Sequence, residues 1–154
     1  MSKFYFLLNY IELLKPRLSA TVLFSCLVGY FLATELVDYF LLLKLMVGGF
    51  CLVAASNGLN QVYEVNVDAL MERTKNRPLP TKRISITNAF LFSLSLGLCG
   101  VIILSTINFR CVFFGTLSCL IYVLGYTPLK TSTPLSGFIG AFPGAMPFML
   151  GWVS

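Results

Sequence analysis

The sequence contains no histidine. This excludes an imidazole base, a histidine metal site and histidine ligation of haem iron within the chain. Cysteine is present five times, an odd number, always in apolar stretches and never as a C-x-x-C pair. These cysteines are predicted to be reduced packing residues, not a disulfide framework or metal site. They are Cys26, Cys51, Cys99, Cys111 and Cys119.

Charge is also scarce. Only 11% of the 154 residues are charged and 57% are hydrophobic, whereas soluble domains carry about 25% charged residues. Five uncharged runs of 17, 19, 26, 19 and 24 residues follow one another along the chain, and a spanning helix needs roughly 17–25 apolar residues. The runs predict an all-α, polytopic transmembrane bundle in one domain, 1–154, with membrane lipid as its solvent. The expected spans are about 18–36, 40–63, 84–106, 109–127 and 136–154.

The net charge of +5 does not indicate nucleic-acid binding, because the lysine and arginine residues lie between apolar runs instead of on a soluble face. With the N-terminus inside, nine of the eleven bases fall on the inner side, and only Lys44 and Arg110 fall outside. The positive-inside rule then places the N-terminus and the 64–83 loop in the cytoplasm. A cleavable signal and an Arg/Ser-rich transit peptide are both missing from the N-terminal stretch, which favours a bacterial cytoplasmic membrane.

Three oxygen-bearing side chains stand at the end of the second expected span. Asn60, Glu64 and Asp68 are spaced i, i+4, i+8, so on one helix they would share a face, drifting about 40° per step. Two carboxylates and an amide oxygen are ligands that Mg²⁺ accepts, with substrate phosphates completing its shell.

Basic residues follow the acids within one loop. Arg73, Lys75 and Arg77 come within nine residues of the second acid, and Tyr126 and Lys130 are spaced i, i+4 on the same side of the membrane. The guanidinium group of arginine can donate two parallel hydrogen bonds to phosphate oxygens, and the ammonium group of lysine acts as a point charge. Acids for a metal beside bases for phosphates suggest a diphosphate substrate, with Lys75 expected to remain a loop residue.

Each of these features also has a simpler interpretation. Bases in a cytoplasmic loop commonly serve only as topology signals. Glu64 and Asp68 are alternatively interfacial acids paired with Arg73 or Arg77. Tyr126 would then belong to the aromatic belt at the membrane interface, and Lys130 would only extend its charged end to that interface.

The arrangement N-x₃-E-x₃-D followed by "ALMERTKNRPLP" resembles the first acidic motif of the UbiA superfamily of intramembrane prenyltransferases. Within that superfamily the chain is similar to the protoheme IX farnesyltransferases. "LKPR" at 14–17, "MERTKNRPL", "GYTPLK" at 125–130 and "GAFPGAMPFMLGW" at 140–152 match that family's landmarks in order. The superfamily motif often has Asp where Glu64 stands, and Glu keeps both the charge and the oxygens.

The resemblance implies a bundle of about nine helices around a cavity open to the cytoplasm. It covers only the N-terminal half of that architecture, and the second aspartate-rich motif has no counterpart among the six acids of this sequence. The chain is therefore expected to be a fragment with about five of the nine helices, inactive by itself. The implied reaction joins farnesyl diphosphate to a vinyl group of haem B, giving haem O, and haem A synthase is implied as a partner.

The resemblance also implies roles for residues, carried over onto matching positions of this sequence. Glu64 and Asp68 are expected to be the catalytic, metal-holding acids. The expected Mg²⁺ ligands are Asn60, Glu64 and Asp68. The expected diphosphate-binding residues are Asn60, Arg73, Arg77, Tyr126 and Lys130.

Two other functional hypotheses stay open at this point. A UbiA-type enzyme with another aromatic acceptor, such as 4-hydroxybenzoate or a naphthoate, would share the motif, and an acceptor assay would separate it. A non-enzymatic transporter would move ions without releasing diphosphate. A haem-assembly factor would bind haem whether or not Mg²⁺ is present.

Overall fold

The computed structural model describes residues 2–130 and 133–154, and all regular elements in these two ranges are helices. This confirms the predicted all-α architecture. The elements are α1 (Ser2–Leu13), α2 (Pro16–Ala33), α3 (Tyr39–Tyr63), α4 (Val65–Leu70), α5 (Ile86–Ser105), α6 (Phe109–Leu120), a π-helical segment (Ile121–Tyr126), α7 (Thr127–Leu129) and α8 (Ser136–Trp152).

The helices begin where the local sequence provides a cap. Pro16 stands in the first turn of α2, where its missing N–H leaves no intrahelical bond unmade. Asp38 accepts hydrogen bonds from the N–H groups of Phe40 and Leu41 at the start of α3. Ser85 and Asn108 cap α5 and α6 in the same way. Each cap satisfies backbone donors that have no partner inside the helix.

Four stretches in the described residues are long and apolar enough to cross a membrane, judged by length and composition alone: Pro16–Ala33, Tyr39–Tyr63, Ile86–Ser105 and Phe109–Leu129. They correspond to the first four expected spans, with ends shifted by up to three residues. The fifth expected span becomes α8, which has 17 residues and contains Pro143 and Pro147.

Helix α3 lies at the centre of the bundle, against α2, α5 and α6, and α8 packs on α2 and α6. The main core cluster joins these helices through Cys26, Tyr30, Leu45, Leu52, Leu104, Cys111 and Leu150. A second, smaller cluster lies near the loop after α4 and consists of Leu13, Leu79, Ile84 and Ala89. The second cluster fixes that loop and the end of α1 to the bundle.

The outer faces of the long helices carry large apolar side chains. Phe24 and Ile102 are each 65% exposed, and Phe138 is 71% exposed. Large apolar side chains exposed on several helices would be costly in water but are favourable against lipid. All five cysteines are free; Cys26, Cys51 and Cys111 are buried, Cys119 is half-buried and Cys99 is exposed on α5.

Candidate functional site

The three predicted oxygen ligands meet where α3 ends. They do not stand on one uninterrupted helix as expected, because the backbone turns at Glu64, with φ −88° and ψ 6°, between α3 and α4. The hydrogen bonds from Glu64 N–H to Asn60 and from Asp68 N–H to Glu64 nevertheless continue across the turn. The three side chains therefore remain stacked, and all are buried, at 2%, 5% and 3% exposure for Asn60, Glu64 and Asp68.

Each carboxylate has its own cation from a different segment. Lys130, which follows α7, donates from Nζ to the two oxygens of Glu64 at 3.2 and 3.4 Å. Arg77, from the loop after α4, donates from a terminal guanidinium nitrogen to Oδ2 of Asp68 at 2.7 Å. Buried carboxylates require such partners, because an unpaired charge in a dry site is strongly destabilising.

The loop from Met71 to Ile84 separates the predicted bases from one another. Thr74 donates its hydroxyl to the carbonyl of Asp68 at 3.0 Å, and this turn directs Arg77 back to the acids. Arg73 is exposed and has no ion pair among the described residues. Lys75 pairs with the exposed Glu72 at 2.6 Å, away from the buried acids, as expected of a loop residue.

The amide of Asn60 has a defined orientation. Its Nδ2 donates to Oγ1 of Thr127 at 3.2 Å. The Thr127 hydroxyl donates in turn to the carbonyl of Tyr122 at 2.8 Å, so it must accept from Asn60. The Asn60 Oδ1 is consequently free to face the charged groups, where it accepts a hydrogen bond from Nζ of Lys15 at 3.1 Å.

Four residues at this site were not singled out from the sequence. Gln61 donates to the carbonyl of Leu13 at 2.8 Å and Asn57 to that of Leu14 at 3.3 Å, so the amides of α3 hold the corner between α1 and α2. The corner carries Lys15 into the site. The residues that sequence reasoning missed are Lys15, Asn57, Gln61 and Thr127. The amide pattern N-x-x-N-Q in the otherwise apolar α3 could have indicated Asn57 and Gln61.

Lys15 lies among charges of both signs. Burial, and after it the positive charge of Arg77, lowers the pKa of Lys15 from 10.5 to about 8, against the opposing effect of Glu64 and Asp68. A pKa of about 8 leaves most of the lysine protonated at pH 7. The site thus contains three cations for two carboxylates.

An apolar cavity of about 600 Å³ lies next to this polar cluster, between α2, α3, α6, the π-helical segment and α8. Asn57, one turn before Asn60, lies on its wall, as do Tyr122 and Tyr126. The two tyrosine rings stack with centroids 5.4 Å apart. The structure therefore places Tyr126 on the cavity wall, one helical turn before the Lys130 that pairs with Glu64.

Glu64 and Asp68 fit a metal site in which phosphate oxygens of a substrate would supply the remaining ligands. No group of three or more His, Cys, Asp or Glu side chains gathers within the described parts of the chain, so these residues do not enclose a metal ion by themselves. Mg²⁺ is commonly held by one or two carboxylates together with substrate phosphates. Glu64 and Asp68, with the oriented oxygen of Asn60, form such a partial set of hard oxygen ligands.

Comparison with known proteins identifies the family of this chain. A sequence profile of the UbiA prenyltransferase family matches residues 22–154. The chain belongs to the UbiA prenyltransferase family. Three relatives named protoheme IX farnesyltransferase are 50% identical over 143 residues (Christiangramia forsetii), 49% identical over 146 residues (Flavobacterium psychrophilum) and 34% identical over 148 residues (the mitochondrial protein of Arabidopsis thaliana).

These UbiA relatives are longer proteins. The alignments cover 93% of this chain but 48% and 49% of the two bacterial relatives, so the chain spans about half the length of the curated relatives it matches. Two solved structures share the fold: a digeranylgeranylglyceryl phosphate synthase, with a TM-score of 0.89 and 23% identity, and a UbiA homologue from Archaeoglobus fulgidus bound to DMAPP and Mg²⁺, with a TM-score of 0.84 and 20% identity. This chain covers 53% of each.

Proposed function

We propose that this chain supplies one half of a protoheme IX farnesyltransferase, which transfers farnesyl from farnesyl diphosphate to haem B, and that it contributes the first acidic motif of the metal- and diphosphate-binding site. One observation carries the proposal. Two buried carboxylates, Glu64 and Asp68, are each paired with a cation from another segment, beside an apolar cavity of about 600 Å³. A prenyl diphosphate has the same division, with a charged end for the cluster and an apolar chain for the cavity.

The charged end would bind across the acids and bases. Glu64, Asp68 and Asn60 would hold Mg²⁺, which when bound supplies positive charge to the diphosphate oxygens. Arg77 and Lys130 would turn from the acids toward the diphosphate and stabilise the negative charge that develops as it leaves. Arg73 is exposed on the loop and would have to move to contribute.

The apolar chain would occupy the cavity lined by α2, α3, α6 and α8. A volume of about 600 Å³ lies within the range of roughly 300–1,000 Å³ typical of small-molecule sites. Tyr122 and Tyr126, at the polar end of that wall, would place ring faces near the reacting allylic carbon, where they can stabilise positive charge. An apolar wall also excludes water from that carbon.

Haem B is the proposed acceptor because the three sequence relatives cited above are all named protoheme IX farnesyltransferase. A different aromatic acceptor is the second candidate, because the UbiA family profile does not distinguish acceptors.

We also propose a bacterial cytoplasmic membrane, with the 64–83 loop and the charged cluster facing the cytoplasm, on the positive-inside rule. Haem A synthase is proposed as a partner that would receive the product.

The proposal is tested by calorimetric titration of farnesyl diphosphate into the chain reconstituted in lipid nanodiscs, with and without Mg²⁺. We expect Mg²⁺ to strengthen binding at least ten-fold, and Glu64→Gln to remove that gain. Glu35→Gln is the matched control, because Glu35 is an exposed acid outside the site. Spectroscopic titration with haem B, with 4-hydroxybenzoate as competitor, tests the acceptor.

Binding of equal strength with and without Mg²⁺, or equal effects of the two glutamate substitutions, would overturn the metal-dependent assignment. Displacement of haem B by 4-hydroxybenzoate at comparable concentrations would favour the second candidate acceptor instead. Ion flux through the reconstituted chain without any diphosphate binding would favour a transporter.

A further inference from the structure

The apolar cavity ends inside the bundle, on the side away from Glu64. Its lining runs along α3 from Asn57 to Gly49 and along α2 from Leu18 to Cys26. In both helices the lining advances by eight positions, which is about 12 Å of helix. Two walls from different helices therefore stop at the same depth.

Three leucine side chains close this deep end of the cavity. Leu52 and Leu150 line the cavity and are each 6% exposed, and Leu104 packs behind them, fully buried. The three meet over Gly115, where a Cβ would lie 2.8 Å from Leu52 and 2.9 Å from Leu104. Because packing this close leaves no void, the three leucines form a floor through which an apolar chain cannot pass.

The contact between α2 and α8 closes the space beyond the floor. Gly151 of α8 lies against the backbone of Cys26, and Gly29 of α2 lies against the backbone of Phe148. Rotation of a side chain cannot open a contact between two backbones. An apolar chain that enters from the charged end of the cavity therefore stops at the floor.

The depth of the cavity matches a chain of three isoprene units. From Asn60, beside the buried acids, to Gly49 at the floor is eleven positions of α3, or about 16 Å. Each isoprene unit adds four chain bonds of about 1.5 Å in a zigzag, hence about 5 Å when extended. Three units need about 15 Å and four need about 20 Å, so a fourth unit would meet the floor.

We propose that the floor of Leu52, Leu104 and Leu150 sets the length of prenyl chain that the site accepts, with Leu150 as the residue whose size determines the limit. The inference rests on the proposed function above and adds a length limit to it. The other two leucines also pack against glycines at the contact between α3 and α5, Gly100 and Gly48. Leu150 enters from α8, so its side chain can be shortened without changing that contact.

Two substitutions should move the limit in opposite directions. Leu150→Ala shortens a floor side chain, and a shortened core leucine leaves a cavity, so a fourth isoprene unit gains room. Gly49→Ala adds a methyl group at the floor, where its Cβ would meet only the side-chain ends of Leu23 and Leu150, at 3.4 and 3.9 Å. Met149→Ala is the matched control, because Met149 precedes Leu150 in α8 but lies outside the cavity lining and is 39% exposed.

The measurement is the binding of geranyl, farnesyl and geranylgeranyl diphosphate, each with Mg²⁺, to every variant of the full chain in nanodiscs, corrected for partition into empty nanodiscs. Inorganic diphosphate, which shares only the charged end, reports whether the acids and bases still bind. In the unsubstituted chain we expect geranylgeranyl diphosphate to bind at least ten-fold more weakly than farnesyl diphosphate, because one surplus methylene in a filled apolar pocket already costs about ten-fold.

The variants should change this preference in a defined way. Leu150→Ala should bring the two longer diphosphates within about three-fold of each other, since the fourth unit is then accommodated. Gly49→Ala should weaken farnesyl diphosphate about ten-fold and leave geranyl diphosphate within about two-fold. Met149→Ala should keep the preference of the unsubstituted chain, and inorganic diphosphate should bind all the variants equally.

Equal binding of farnesyl and geranylgeranyl diphosphate by the unsubstituted chain, or the same preference in Leu150→Ala and Met149→Ala, would overturn the inference. The proposed function would then stand, provided that inorganic diphosphate still binds with Mg²⁺. Failure of the unsubstituted chain to bind inorganic diphosphate with Mg²⁺ would overturn both. Should circular dichroism show that Leu150→Ala does not fold, Gly49→Ala decides: unchanged farnesyl diphosphate binding in that variant would overturn the length limit.

Discussion

Replacing Gly151 by alanine should separate two helices that touch through their backbones. Gly151 of α8 faces α2, and a Cβ there would overlap the carbonyl oxygen of Cys26 and lie 2.7 Å from the backbone nitrogen of Tyr30. Gly29 of α2 faces α8 in the same way, at the backbone of Phe148. A backbone cannot rotate away as a side chain can, so the helices would have to separate by about 1.5 Å to reach ordinary contact distances of about 3.5 Å.

The expected magnitude follows from two opposing terms. Overpacking of a tight contact destabilises by about 1–3 kcal/mol, occasionally more, whereas alanine gains up to about 1 kcal/mol over glycine in a helix. A clash with backbone atoms should cost an amount near the upper end of the overpacking range, so we expect Gly151→Ala to lower the free energy of unfolding by about 2 kcal/mol net. Gly144→Ala, in the same helix, meets no described atom within 4 Å and should be neutral or slightly stabilising.

The assay is unfolding in mixed detergent micelles with increasing SDS, followed by circular dichroism for both variants in parallel. Because the two substitutions add the same methyl group to the same helix, their difference isolates the contact between α2 and α8. Equal stability of Gly151→Ala and Gly144→Ala would refute the close crossing of α2 and α8 described above.

Three further substitutions test the site and its supports. Arg77→Met should destabilise the chain by up to about 3 kcal/mol in the same SDS assay, because Asp68 would stay buried without its partner, and adding Asp68→Asn should recover most of that loss. Thr127→Val should weaken Mg²⁺-dependent diphosphate binding several-fold by releasing the amide of Asn60, since a neutral hydrogen bond contributes about 0.5–1.5 kcal/mol. Thr127→Ser keeps the hydroxyl and should bind diphosphate as the unsubstituted chain does. Equal binding by the valine and serine variants would contradict the orienting role of Thr127. Ser85→Ala should cost about 1 kcal/mol of stability through loss of a helix cap, with no effect on diphosphate affinity.

Much of the fold was predictable because it depends on composition along the chain. Long uncharged runs are enough to predict membrane-crossing helices, whereas the caps Asp38 and Ser85, at the starts of α3 and α5, were identified only in the structure. The turn at Glu64 was not predictable in the same way. A spacing of i, i+4 is compatible with an unbroken helix, and the loop that pulls Asp68 toward Thr74 and Arg77 forms only in the folded chain.

The site was predictable where its members are close in sequence. The acid spacing indicated Glu64 and Asp68, and charge complementarity indicated Arg77, but residue type could not separate Arg77 from the exposed Arg73. Lys15 contacts Asn60 across 45 positions of sequence, a proximity that depends on tertiary packing. Its basic residue type indicates only the inner side of the membrane, which does not account for its half-buried position or for its positive φ of 49°.

The central claim is that Glu64 and Asp68 hold a metal ion together with a diphosphate. Electron paramagnetic resonance of Mn²⁺, which accepts the same oxygen ligands as Mg²⁺, measures this directly in the reconstituted chain. Since two carboxylates do not enclose a metal, we predict weak Mn²⁺ binding alone, much tighter binding with inorganic diphosphate, and loss of that gain in Asp68→Asn. Mn²⁺ binding that is indifferent to diphosphate, or equally strong after Asp68→Asn, would contradict the claim.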